Sequence, residues 1–111
     1  MTYFNGECEC CDNRFGTVIE EVENERKAQD KKWGQQNHSW PEFLMILGEE
    51  VGEANKAGTD AFLAVKSGSP GIAYNELTHM RTELIQVAAM AVQIVESLDR
   101  NELVVMKPTD S

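Results

Sequence analysis

Apolar positions along this chain recur at helical rather than strand spacing, and they divide it into three segments. In the first, Phe15, Val18, Ile19 and Val22 form a stripe that continues at the same spacing as Arg26, Gln29 and Trp33. This predicts a helix that starts at a Thr17 cap, places Glu20 and Glu21 against its N-terminal dipole, runs to about Lys32 and stops at Gly34. In the second, Phe43, Ile46, Leu47, Ala54 and Ala57 share one arc at about 100° per residue. The predicted helix covers residues 41–57, with Ser39 or Trp40 at its cap, Pro41 in its first position and Gly58 as its C-terminal cap. A short helical segment follows from Thr59 and Asp60 to Lys66, and Ser67-Gly68-Ser69-Pro70-Gly71 is the strongest turn signal in the chain. The third segment, Ile72 to about Leu98, reads as one long helix with Leu77, Met80, Leu84, Val87, Ala88, Ala91, Val95 and Leu98 on one arc. Residues Val87 to Val92 are apolar nearly all round, which calls for cover on more than one side, and a subunit interface supplies it simply. The expected fold class is all-α.

Carboxylates interrupt this pattern. Glu50 falls in the middle of the second segment's apolar arc, Glu53 lies towards one edge and Glu49 sits just beyond. In the third segment Glu83 projects between Val87, Met90 and Ile94. An unpaired carboxylate facing a core is costly to desolvate, so the group is either neutralised by basic side chains or holds a hard divalent cation that prefers oxygen. The plainer reading of an E-E-x-x-E run is a solvated helix face. The first helix changes from apolar to Arg26, Gln29, Lys32 and Trp33 and leads into the amide-rich Gly34-Gln35-Gln36-Asn37-His38-Ser39. That chemistry suits a flat polar ligand, since an indole stacks on a base and a guanidinium reaches phosphate, although ordinary surface has the same composition.

At 111 residues and 41% hydrophobic, the chain suits one small domain whose core self-association would extend. Nineteen acidic against ten basic residues, a net charge of -9, argue against nucleic acid as partner but not against a free nucleotide carrying its own metal. No apolar run reaches the length of about 18 residues needed for a membrane span and no signal-peptide pattern is present, so a soluble, cytoplasmic protein is expected. Cys8, Cys10 and Cys11 crowd too closely for a disulfide framework and read as reduced thiols; His38 and His79 lie at no zinc-finger spacing from them. The expected organisation is an arm or tail over residues 1–16, a helical domain over 17–100 and a tail over 101–111, in which Leu103-Val104-Val105-Met106 is too short to classify. Glycine-rich phosphate loops and Ser/His/Asp arrangements are absent.

Two acidic helical motifs about thirty residues apart, Glu49-Glu50-Val51-Gly52-Glu53 and Glu83-Leu84-Ile85-Gln86, resemble those of the all-α nucleoside triphosphate pyrophosphohydrolases of the MazG type. The stretch Glu25 to His38, which includes Trp33-Gly34-Gln35-Gln36-Asn37, together with Glu83 to Ala89, is similar to a small MazG-like branch common in bacteriophages and some bacteria. The resemblance covers roughly residues 18–98. It implies a helical bundle assembled as a dimer or tetramer around a long central helix. It also implies Mg2+- or Mn2+-dependent hydrolysis of a nucleoside triphosphate between the α and β phosphates, in the host cytoplasm if the chain is phage-encoded. On this basis Glu50, Glu53 and Glu83 are expected to hold metal, and Glu49 to orient or deprotonate water or to act as a further ligand. Arg26, Gln29, Lys32, Trp33 and Asn37 are expected to hold the nucleotide. Gln86 stands where the family pattern has Asp, and an amide oxygen is a weaker ligand for a hard cation. Glu76, His79 or Asn55 are the expected substitutes. The amides beside Trp33 match a guanine edge best, which makes dGTP and GTP the expected substrates. The competing expectation is a nucleotide- or metal-binding helical oligomer weakened in catalysis by the change at Gln86. A metal-storing bundle would want Glu-x-x-His pairs on two helices, and only Glu76-Leu77-Thr78-His79 offers one.

Overall fold

The computed structural model describes residues 9–102, which form three long helices and a terminal π-helical turn with no strand among them. Helix α1 spans Glu9–Trp33, α2 Trp40–Lys66, α3 Pro70–Ser97 and the π turn Leu98–Glu102. The all-α expectation therefore holds. Cys8 and the Leu103-Met106 segment lie outside the described residues.

Local chemistry explains where most of the helices end. Ser39 caps α2 with a full capping box, its hydroxyl accepting from the Glu42 amide while the Glu42 carboxylate accepts from the Ser39 amide, and Pro41 occupies the first turn. Gly34 ends α1 with a φ of 74° and its N–H donates to the Asp30 main-chain carbonyl, and Gly68 turns the α2–α3 connection at 77°, a left-handed region that glycine enters without steric cost.

Two boundaries differ from the sequence expectation. Helix α1 begins well upstream of Thr17, whose hydroxyl donates to the Asn13 carbonyl at 2.7 Å, so this threonine bonds within the helix rather than capping it. Residues Glu9 to Gly16 thus form the first turns of α1. Helix α2 runs through Gly58 without a break to Lys66. A Cβ on Gly58 would lie 2.9 Å from the Met80 sulfur, so this glycine admits a side chain of α3 instead of stopping a helix.

Helix α3 packs along α2 and, less extensively, against α1. Contacts between Phe43 and Met90 with Ile94, and between Gly58 and Met80, show that α2 and α3 run antiparallel. The core between them is narrow: Phe43, Met90 and Ile94 are joined by Ile46, Leu47 and Leu98 at one end, and Ala54, Ala57, Ala61, Ala64 and Ala73 line the rest. Small residues bring the two backbones close. The face α3 buries is not the predicted arc. Ala73, Ala89, Met90, Gln93, Ile94 and Ser97 are buried, whereas Leu77, Leu84, Ala91 and Val95 are exposed. The stretch Val87 to Ala91 is accordingly divided, with Ala89 and Met90 inside the chain and Ala91 outside. On α1, Phe15, Ile19 and Trp33 are exposed, while Gln29 is buried and Val22 and Arg26 are partly so.

Candidate functional site

The antiparallel pairing of α2 and α3 sets Glu50 opposite Glu83. Both are partly buried, as expected of carboxylates near the apolar seam, whereas Glu49, next to Glu50 in the chain, and Glu53, about one turn on, are exposed. Burial pushes the Glu50 carboxyl above its ordinary range, and Glu83 adds to the rise through its charge and through a hydrogen bond to the protonated acid; the charges of Glu53 and Glu49 raise it further. The four glutamates expected at the site therefore share one electrostatic neighbourhood. Among the described residues, however, no three His, Cys, Asp or Glu side chains converge closely enough to form a ready-made metal-binding group.

A raised carboxyl implies a sign for pH dependence. Where the folded state holds the proton more tightly than the unfolded chain, stability is fully present below the unfolded carboxyl range and is lost as pH rises through the folded value. Glu50→Gln removes this loss while keeping the side chain's shape. The variant is expected to melt above the wild type at pH 7 in metal-free buffer, the gap closing as the pH falls below about 4. Calorimetric scans at a series of pH values check this, and equal melting temperatures at pH 7 would contradict it.

On α3, His79 stands one turn from Glu83, with its Nε2 3.2 Å from the Glu83 carboxylate, and its Nδ1 lies 3.9 Å from Glu76. Glu53, Lys56, Ala57, Asp60, Glu76 and His79 line an adjoining cavity of about 120 Å³. Lys56 donates to Asp60 there at 3.1 Å. Asp60 and Lys56 were not among the expected site residues, although their i,i+4 spacing on the helix that carries Glu53 was a signal of it. The expected substitutes thus separate: Glu76 and His79 adjoin the carboxylates, and Asn55 is exposed on α2. Gln86 faces elsewhere, lining an α1–α3 groove of about 330 Å³ with Asn24, Arg81 and Ile85.

The expected nucleotide-binding residues are not gathered at the carboxylates. Arg26 donates from Nε and Nη2 to Glu96 at 3.0 and 2.6 Å and from Nη1 to Asp30 at 2.6 Å. Glu96 lies thirteen residues beyond Glu83 on α3, about 20 Å along the helix at its 1.5 Å rise. Asn37 accepts from Arg100 and Asn101, each at 3.0 Å, farther still along the chain. Gln29 is buried with its side-chain oxygen unpaired, and the Lys32 ammonium sits 4.6 Å from the Trp33 ring centroid on the surface. A second polar link joins the loop to α3, where buried Gln93 donates to Gln36 at 3.2 Å. No signal within either segment pairs Gln36 with Gln93 or Arg26 with Glu96, because each pair joins residues more than fifty positions apart.

The donor set fits a hard cation in one respect, being all carboxylate oxygen, which Mg2+ and Mn2+ prefer. Comparison of the chain with protein-family models, with curated proteins and with solved structures found no significant match.

Proposed function

We propose that this chain is a metal-dependent nucleoside triphosphate pyrophosphohydrolase of MazG-like type, releasing nucleoside monophosphate and pyrophosphate. The observation that carries the reading is the placement of four carboxylates on one stretch of the α2–α3 seam, Glu50 and Glu83 partly buried across it and Glu49 and Glu53 beside Glu50 on the same helix. In this reading Glu50, Glu53 and Glu83 would hold Mg2+ or Mn2+, and Glu49 would orient a water and take its proton as the water oxygen bonds to phosphorus and the bond between the α and β phosphates breaks, leaving monophosphate and pyrophosphate. A cation held there supplies charge to offset that developing on the phosphate oxygens. His79, bonded to Glu83, fixes the orientation of that carboxylate. The chain would act as a cytoplasmic homo-oligomer, dimer or tetramer.

The substrate proposed is a purine nucleotide, dGTP or GTP. It rests on the stacking face of exposed Trp33 and on the donors and acceptors of Gln35, Gln36 and Asn37 in the loop after it, buried Gln29 being withdrawn from the base edge. Pyrimidines would leave such groups unmatched at about 1–3 kcal/mol each, enough for a roughly ten- to hundredfold preference. Incubation of the eight common nucleoside triphosphates with the protein and Mn2+, followed by anion-exchange separation, tests it. Fastest loss of dGTP and GTP with pyrophosphate as product is expected; faster turnover of dCTP would overturn the purine assignment, and release of single phosphate would overturn the mechanism.

One observation favours a second reading, a nucleotide- or metal-binding oligomer without turnover: Gln86 both lacks charge and lines the α1 groove. Saturable Mn2+ binding with no product from any nucleotide would establish that reading in place of the first.

A further inference from the structure

We propose that the Lys56 ammonium holds the pyrophosphate end of the nucleotide, the part that leaves when the bond between the α and β phosphates breaks. This rests on the reading of Glu49, Glu50, Glu53 and Glu83 given above and adds to it a residue for the leaving group. Along α2 the order is the amide-rich loop that ends at the Ser39 cap, then the carboxylates, then Lys56. Lys56 follows Glu53 by three residues, about 4.5 Å of rise, and so continues the same side of the helix. With Glu53 it lines the cavity of about 120 Å³ to which α3 contributes Glu76 and His79. Of the six residues lining that cavity, Lys56 alone carries a permanent positive charge. His79 is engaged with Glu83 at 3.2 Å. The nearby arginine of α3, Arg81, is turned to α1, where it donates to the two oxygens of Glu21 at 2.8 and 2.7 Å.

Charge gives this lysine its task. Three glutamates carry more negative charge than one divalent cation neutralises, so a polyphosphate approaching them is repelled unless a further positive charge receives it. When the bond breaks, the bridging oxygen departs with its electron pair and pyrophosphate gains negative charge, which an ammonium within hydrogen-bond reach offsets. Lys56 is free to move to that position. It donates to Asp60 at 3.1 Å, yet its side chain is 77% exposed, and an exposed pair one helical turn apart holds a lysine only weakly. Exchanging Asp60 for a phosphate oxygen therefore disturbs no core. The hydrogen bond to Asp60, with the charges of Asp60, Glu76 and Glu53, also keeps the ammonium above its ordinary pKa, so its charge is present at neutral pH.

The test is titration calorimetry of the full chain with inorganic pyrophosphate in the presence of Mn2+, beside the melting temperature with Mn2+ alone. Lys56→Gln should weaken pyrophosphate binding roughly ten- to hundredfold, the scale of one hydrogen bond to a charged group, while the rise in melting temperature produced by Mn2+ is kept. Lys56→Arg, which retains the charge, should restore most of the affinity. Asp60→Asn breaks the same ion pair but releases the lysine, and should bind pyrophosphate at least as tightly as the wild type. Lys27→Gln, which changes the net charge equally from beside Glu23 on α1, should bind as the wild type does. Binding of dGMP, which lacks the leaving group, should be the same in the wild type and Lys56→Gln. A wild type that does not bind pyrophosphate, or a Lys56→Gln variant that binds it undiminished, overturns the inference, as does equal weakening in Lys56→Gln and Asp60→Asn, which would make the pair structural. Pyrophosphate binding that depends on Lys56 in a protein that hydrolyses no nucleotide overturns the enzymatic reading alone and leaves the phosphate site standing.

Discussion

Replacing Glu53 with Gln is expected to lower pyrophosphate release by about two to three orders of magnitude, the scale on which a lost electrostatic contact to the transition state registers. The substitution keeps the volume and the hydrogen-bonding reach of the side chain and removes only its charge. Because Glu53 is exposed on α2, the variant should fold as the wild type does, and a lost rate cannot be ascribed to a lost core. The increase in melting temperature produced by Mn2+ should shrink in parallel, since a ligand stabilises the folded state only as far as it binds there. Turnover and thermal shift are thus two readings of one contact. A variant with wild-type turnover would remove Glu53 from the site, and one with lost turnover but an undiminished shift would place it at the substrate rather than the metal.

The largest effect on stability is expected from Phe43→Ala. Phe43 is 1% exposed and packs with Met90 and Ile94 at the one place where large apolar side chains of α2 and α3 interlock; its ring also meets His38 edge to face, with centroids 5.1 Å apart. Along the remainder of the seam the buried apolar contacts of α2 are alanines, which have little further volume to rearrange into a cavity. The truncation should therefore cost about 3–5 kcal/mol, a large share of the roughly 5–15 kcal/mol that holds a domain folded. Urea unfolding at matched protein concentration measures the loss as a lower midpoint. A cost below about 1 kcal/mol would show that this corner repacks or contributes little.

Much of the fold was legible in the sequence because its signals act within one or two helical turns. The Ser39–Glu42 capping box, Pro41, the positive-φ glycines Gly34 and Gly68, and the Ser67–Pro70 turn each operate through atoms a few residues apart, and each stands where the chain order places it. The placement of Glu50 on the inward arc of α2 was legible for the same reason, since helical periodicity alone puts it between Leu47 and Ala54. The tertiary structure decided whatever depends on which helices meet. Gly58 has the local character of a stop, yet the approach of Met80 makes it a crossing point inside α2. Arg26, read by itself, was a free cation for phosphate; packing α1 on α3 brings it to Glu96, seventy residues away. Helix α3 shows the reason most plainly. It carries apolar residues on two sides, so its own pattern specifies a helix without specifying which side turns inward, and the small residues of α2 admit the side bearing Ala73, Met90 and Ile94 and leave Leu77, Leu84 and Val95 outside.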